Sequence, residues 1–137
     1  MDRASPDAQS SEPMDAEETY QHVFFYFIQA LWILAMDPEP QCEAQGNFNV
    51  AQELKNEILS GRYLIGKGKL NDSQETALAT LASAIAAVPD SALTFATGHA
   101  PNVRNMVHPV WSPIRAQANS LLALLDSRIA ENKAYFE

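Results

Sequence analysis

The chain has 137 residues, 47% of them hydrophobic and 19% charged, a size and balance that suit one globular core and leave little room for a second. Its net charge of −8 is uneven: eleven acids face only Arg3 and Lys55 in residues 1–60, whereas residues 61–137 hold six acids against seven bases. Such an excess repels phosphate backbones and anionic lipid headgroups, so neither nucleic acid nor membrane is expected as a partner, and a basic protein would be steered toward the N-terminal half.

Residues 1–13, rich in Ser, Asp, Pro and Ala, read as a disordered lead-in, with the folded domain spanning 14–137. The first helix is predicted over 15–36, with Glu17 and Glu18 against the positive end of its dipole. Within it, residues 23–36 carry one strongly polar side chain, Gln29. A helix apolar around nearly its whole circumference must be covered on every side, by its own domain or by a second molecule. The run is shorter than the ~20 apolar residues of a bilayer span, and the acidic residues in front of it are unlike a secretory signal. The lone Cys42 has no partner for a disulfide, which suits a reducing compartment and places the protein in the cytoplasm.

Asp37-Pro38-Glu39-Pro40 is read as the end of the first helix. A second is predicted from Asn47 or Asn49, with Val50, Leu54 and Ile58 on one face and a stop at Gly61. After a glycine-containing loop, Asp72 or Ser73 with Glu75 opens a third, whose core stripe is Leu78, Leu81, Ala82, Ile85 and Val88. Pro89 ends it, a short fourth covers 92–97, and residues 99–111 form the longest irregular piece. Ser112 followed by Pro113 marks the start of a fifth, running toward Tyr135 with Ile114, Ala118, Leu121, Leu122, Leu125 and Ile129 inward. No stretch alternates long enough for a strand, so the predicted fold is all-α, a compact bundle of four to five helices.

The chemistry is sparser. Cys42 lacks an adjacent histidine, and His22, His99 and His108 lack the spacing of zinc ligands, so no catalytic residue, metal or cofactor is predicted. Gly66-Lys67-Gly68-Lys69 is not a phosphate loop, and no Glu-x-x-His repeat marks a di-metal bundle. Glu18 and His22, four apart, read as a local pair. The spacing of Arg104 and His108 is similar to the Arg…His motif of small helical ribonucleases of the HEPN type, but its gap is shorter than that motif requires, and the match covers five residues.

Residues 98–111 are the main candidate binding segment, gathering His99, Arg104, His108 and Trp111. Glu43, Asn47 and Asn49 are a second candidate, because asparagine both donates and accepts. Glu17, Glu18, Glu53 and Glu57 are the candidate acidic partner face. The leading expectation is a small acidic module that binds a basic protein, an analogy of size and charge with immunity, antitoxin and inhibitor proteins. A homodimer burying part of the first helix is the second, and a small-molecule binder or enzyme using the 98–111 segment, which would need an acid in its pocket, the third.

Overall fold

In a computed structural model, residues 15–132 are described, and the fold is all-α, as predicted; the expected disordered lead-in lies outside these residues. Seven α-helices run in the order α1 (Ala16–Leu34), α2 (Pro38–Ala44), α3 (Val50–Ser60), α4 (Asp72–Ala86), α5 (His99–Met106), α6 (Trp111–Leu124) and α7 (Asp126–Glu131). Two 3₁₀ turns, Gly61–Leu64 and Asp90–Ala92, join them. The only extended pairing among the described residues is a single antiparallel bridge between Phe48 and Thr97.

The helix count exceeds the predicted four to five because α2 is added and the last helix divides at Leu125, while one short helix changes place. Asp37-Pro38-Glu39-Pro40 does end α1, but Pro38 and Pro40 fall in the first turn of α2, where the missing N–H groups would have had no helical partner. Residues 99–106, predicted irregular, are helical, whereas the predicted helix over 92–97 is one 3₁₀ turn followed by extended chain. Two caps differ by a residue or more: Asn71 with Gln74 forms the box that opens α4, and α6 begins at Trp111, ahead of Ser112 and Pro113. The last predicted helix breaks at Leu125 into α6 and α7.

α1 packs against α3 and α6, and α4 closes the same core against α6 and α3, while α2 and α5 pack on each other at one end. The core stripe of α1 is Tyr20, Phe24, Phe27, Ile28, Leu31 and Leu34, met by Leu54, Ile58, Leu78, Leu81, Ile85, Trp111 and Leu121. Gly61 is required where α3 turns away: a Cβ there would collide with the ring of Phe27.

The four buried polar residues among those described, Gln41, Gln74, Asn102 and Asn105, are all amides, and each donates to a main-chain carbonyl. Gln41 Nε2 bonds the Ile33 and Leu34 carbonyls at 3.1 and 3.0 Å, closing the C-terminus of α1, and Gln74 Nε2 bonds Leu124 O at 2.9 Å near the end of α6. Arg115 does similar work, bonding Met36 O at 2.8 Å and Met106 O at 3.3 Å. Helix-end carbonyls lack partners inside their own helix, so these side chains fix where one helix stops relative to another.

Candidate functional site

The two candidate clusters of the sequence meet in one place. Asn47 and Asn49 both adopt the left-handed conformation, at φ 55° and 45°, which asparagine tolerates better than most residues. They lay residues 46–49 alongside 96–99: Asn49 N–H donates to Ala96 O at 2.7 Å, Gly98 N–H to Asn47 O at 2.9 Å, and His99 Nδ1 lies 2.8 Å from Asn47 Oδ1. Asn102, fully buried, locks this seam. Its Oδ1 accepts from Val50 N–H at 2.8 Å, and its Nδ2 donates to Gly98 O, Asn47 O and Ala96 O at 2.7, 2.9 and 3.2 Å. Asn49 occupies the cap position of α3 but makes no side-chain cap bond, and Asn102 supplies that bond from 52 residues away. The seam leaves Phe48 and Phe95 outside, 51% and 65% exposed, in an edge-to-face pair with ring centres 5.6 Å apart.

The remaining predicted residues scatter. Trp111 is wholly buried and belongs to the core, not to a surface. Arg104 and His108 do share a hollow of about 460 Å³ with Phe95 and Val107, but its lining contains no carboxylate, the group that the enzyme expectation required. His99 lies apart from that hollow, held to Asn47. Glu43 is exposed on α2. Cys42 is wholly buried, and burial pushes its thiol up to about 11, so it is poorly suited to act as a nucleophile.

The acids divide between internal work and surface. Glu17 bonds Lys69 at 2.7 Å and accepts from Gln21, which lowers its carboxyl below the ordinary range, the Lys69 bond being the larger cause. Glu18 closes the capping box with Asp15. The predicted Glu18–His22 pair is replaced by an aromatic contact, His22 lying edge-on to Tyr26 with ring centres 4.7 Å apart. Glu53 stands in the first turn of α3, and Glu57 lines a groove.

That groove, between α1 and α3 with a volume of about 370 Å³, was not singled out by the sequence. Its α1 wall is the stripe His22, Tyr26, Gln29 and Ile33, offset around the helix from the core stripe. Opposite stand Gln45, Glu57, Ser60 and Gly61, with Phe27 and Ala30 behind. Tyr26 is 57% exposed. Glu57 is half-buried, and Gln45 Nε2 donates to both of its oxygens at 3.1 Å. Burial raises its carboxyl above the ordinary value, the Gln45 bond opposes, and the charge of Glu53 adds to the rise. The signal was present in the sequence as a second helical stripe on a helix that already had a core face.

Among the described residues no three His, Cys, Asp or Glu side chains gather as they would around a metal ion, and no helix is long and apolar enough to cross a membrane. Comparison with protein-family models, curated proteins and solved structures gives no match to the chain.

Proposed function

We propose that this is a small cytoplasmic protein-interaction module that binds a basic protein through the groove between α1 and α3, in the manner of immunity and antitoxin inhibitors. The observation that carries the reading is the second stripe of α1. His22, Tyr26, Gln29 and Ile33 line an open groove, with His22 and Tyr26 exposed and Gln29 and Ile33 half-buried, so the helix most in need of cover is left with one part-open face for something outside. Tyrosine exposed beside a groove is a frequent anchor of protein interfaces. The charge agrees: described residues 15–60 hold eight acids and one base, Lys55, so a basic partner would be drawn to this side.

The test is capture of partners from native lysate by the tagged protein at low and high salt, beside a Tyr26→Ala variant. A stoichiometric basic protein, released by salt and lost with Tyr26→Ala, supports the reading. Recovery of the bait alone overturns it. Recovery of the bait as a dimer favours the homodimer instead, a reading to which the exposure of Tyr26 and Trp32 on the same helix also lends itself.

A further inference from the structure

We propose that the groove between α1 and α3 is an anchor pocket for one arginine side chain of the partner, with Glu57 as its counter-ion and Tyr26 as the surface on which the guanidinium stacks. The inference rests on the interaction reading above and goes beyond it in naming the group recognised.

Size comes first. About 370 Å³ lies at the small end of ligand pockets, enough for a long side chain with part of its neighbour and too little for a helix laid along it. The floor and sides, Phe27, Ala30 and Ile33, are apolar and suit the methylene stem of arginine, which buries readily while its head stays polar. Polar groups line both walls, His22 and Gln29 on α1 and Gln45, Glu57 and Ser60 opposite, and Glu57 is the carboxylate among them. Glu57 is half-buried and has no cation against it among the described residues: the described ion pairs are Lys69 with Glu17 and Arg128 with Glu131. Lys55, two positions away on α3, projects from a different side of that helix.

Geometry favours arginine over lysine. Gln45 Nε2 reaches both oxygens of Glu57 at equal distances, which places it between them and uses one acceptor site on each oxygen. A second acceptor site on each oxygen remains, but the two diverge, so a cation meets one oxygen; a guanidinium that bonds it through one N–H keeps its flat faces free to stack, which an ammonium cannot do. Tyr26, exposed at the mouth and in T-shaped contact with His22 and Phe25, is the ring a planar cation entering the groove would meet. A carboxylate that burial already disfavours as an anion gains most from a cation brought to it, and Glu53 next along α3 increases the attraction.

The experiment is a titration of the full-length ¹⁵N-labelled protein with N-acetyl-arginine amide, N-acetyl-lysine amide and N-acetyl-citrulline amide, followed by amide chemical shifts. Citrulline keeps the length and shape of arginine and removes the charge. Arginine is expected to shift Gln45, Ser60 and Gly61 and to saturate, with lysine weaker and citrulline weaker by about tenfold. Glu57→Gln, which preserves shape, is expected to weaken arginine binding by about tenfold while leaving the rest of the spectrum in place, and Tyr26→Ala to weaken it independently. Equal shifts with citrulline, arginine binding unchanged in Glu57→Gln, or shifts centred away from the groove would each overturn the inference. So would a wild-type dimer that shields the same three amides, since a second copy would then be the occupant. If lysate capture of a basic protein survives Glu57→Gln, the anchor fails and the interaction reading stands. If arginine saturates the groove but no basic protein is captured, the interaction reading fails and the anchor stands.

Discussion

The seam that joins residues 46–49 to 96–102 and the groove between α1 and α3 are both rich in amide and aromatic side chains, yet they handle them in opposite ways. In the seam the polar groups turn on one another: Asn102 makes four bonds to main chain, Asn47 and His99 meet, and the interior is closed. In the groove, Glu57 has an amide from Gln45 and, among the described residues, no cation, and Tyr26 faces water. A buried polar group that is fully bonded specifies a shape, whereas a half-buried one with an acceptor to spare leaves capacity for a ligand. The richest cluster of hydrogen bonds is therefore architectural, and the sparser one carries the functional proposal.

Asn102→Ala is the substitution that tests this division most severely. It removes four bonds and leaves Val50 N–H buried without a partner, so stability should fall by about 3–4 kcal/mol in urea unfolding. Below the unfolding transition, arginine binding at the groove should be unchanged, and a matched loss there would break the comparison. Next in size is Gly61→Ala, whose Cβ meets the Phe27 ring beneath the groove: a cost of about 1–3 kcal/mol is expected in urea unfolding, together with altered groove binding in the arginine titration. Asn47→Ala places a Cβ-bearing residue without a polar side chain at φ 55° and removes the His99 contact, for about 1 kcal/mol. Asn47→Gly should recover the backbone part of that loss.

The smallest effect is the most diagnostic. Glu57 is raised in the folded state above its ordinary value of 4.5 by burial, so its favourable contribution is present in full below that value and is lost as pH rises through the folded value. At neutral pH the carboxylate is then a slight liability, and Glu57→Gln should stabilise the free protein, within about 0.5 kcal/mol because the side chain stays half in water. Thermal melts at pH 4 and pH 7 should show the gain only at the higher pH. A variant that is at once more stable and weaker in binding would mark Glu57 as placed for a partner.

The sequence made the apolar helices readable, and the polar ones much less so. α3, α4 and α6 each repeat apolar residues at helical spacing, and the stripes read from them are buried except for Leu122 and Ile129, which are half-buried against the core. α5 was missed because its buried positions, Asn102, Asn105 and Met106, have helical spacing but are mostly polar, so a search for apolar periodicity passes over them. α2 was missed because Pro38 and Pro40 act as breakers in one context and as first-turn residues in another. Asn47 and His99 were each singled out, but their contact spans 52 residues of chain and follows no local rule. The groove needed a further step: residues 23–36 revealed a helix apolar on too many sides, but only the packing of α3 determined which side stays open.

The seam also bears on how the chain folds. Its bonds join residues 52 and 55 positions apart, with one antiparallel bridge in place of a ladder, so closing it orders a long stretch of chain around a few amide contacts. Closing such a contact costs loop entropy that falls once α1, α3 and α4 have brought its two sides near, so the seam is expected to form late in folding. Asn102→Ala should accordingly speed unfolding by about two to three orders of magnitude in stopped-flow measurements and leave the refolding rate nearly untouched, so that one buried asparagine sets how long the native state persists without setting how fast it forms.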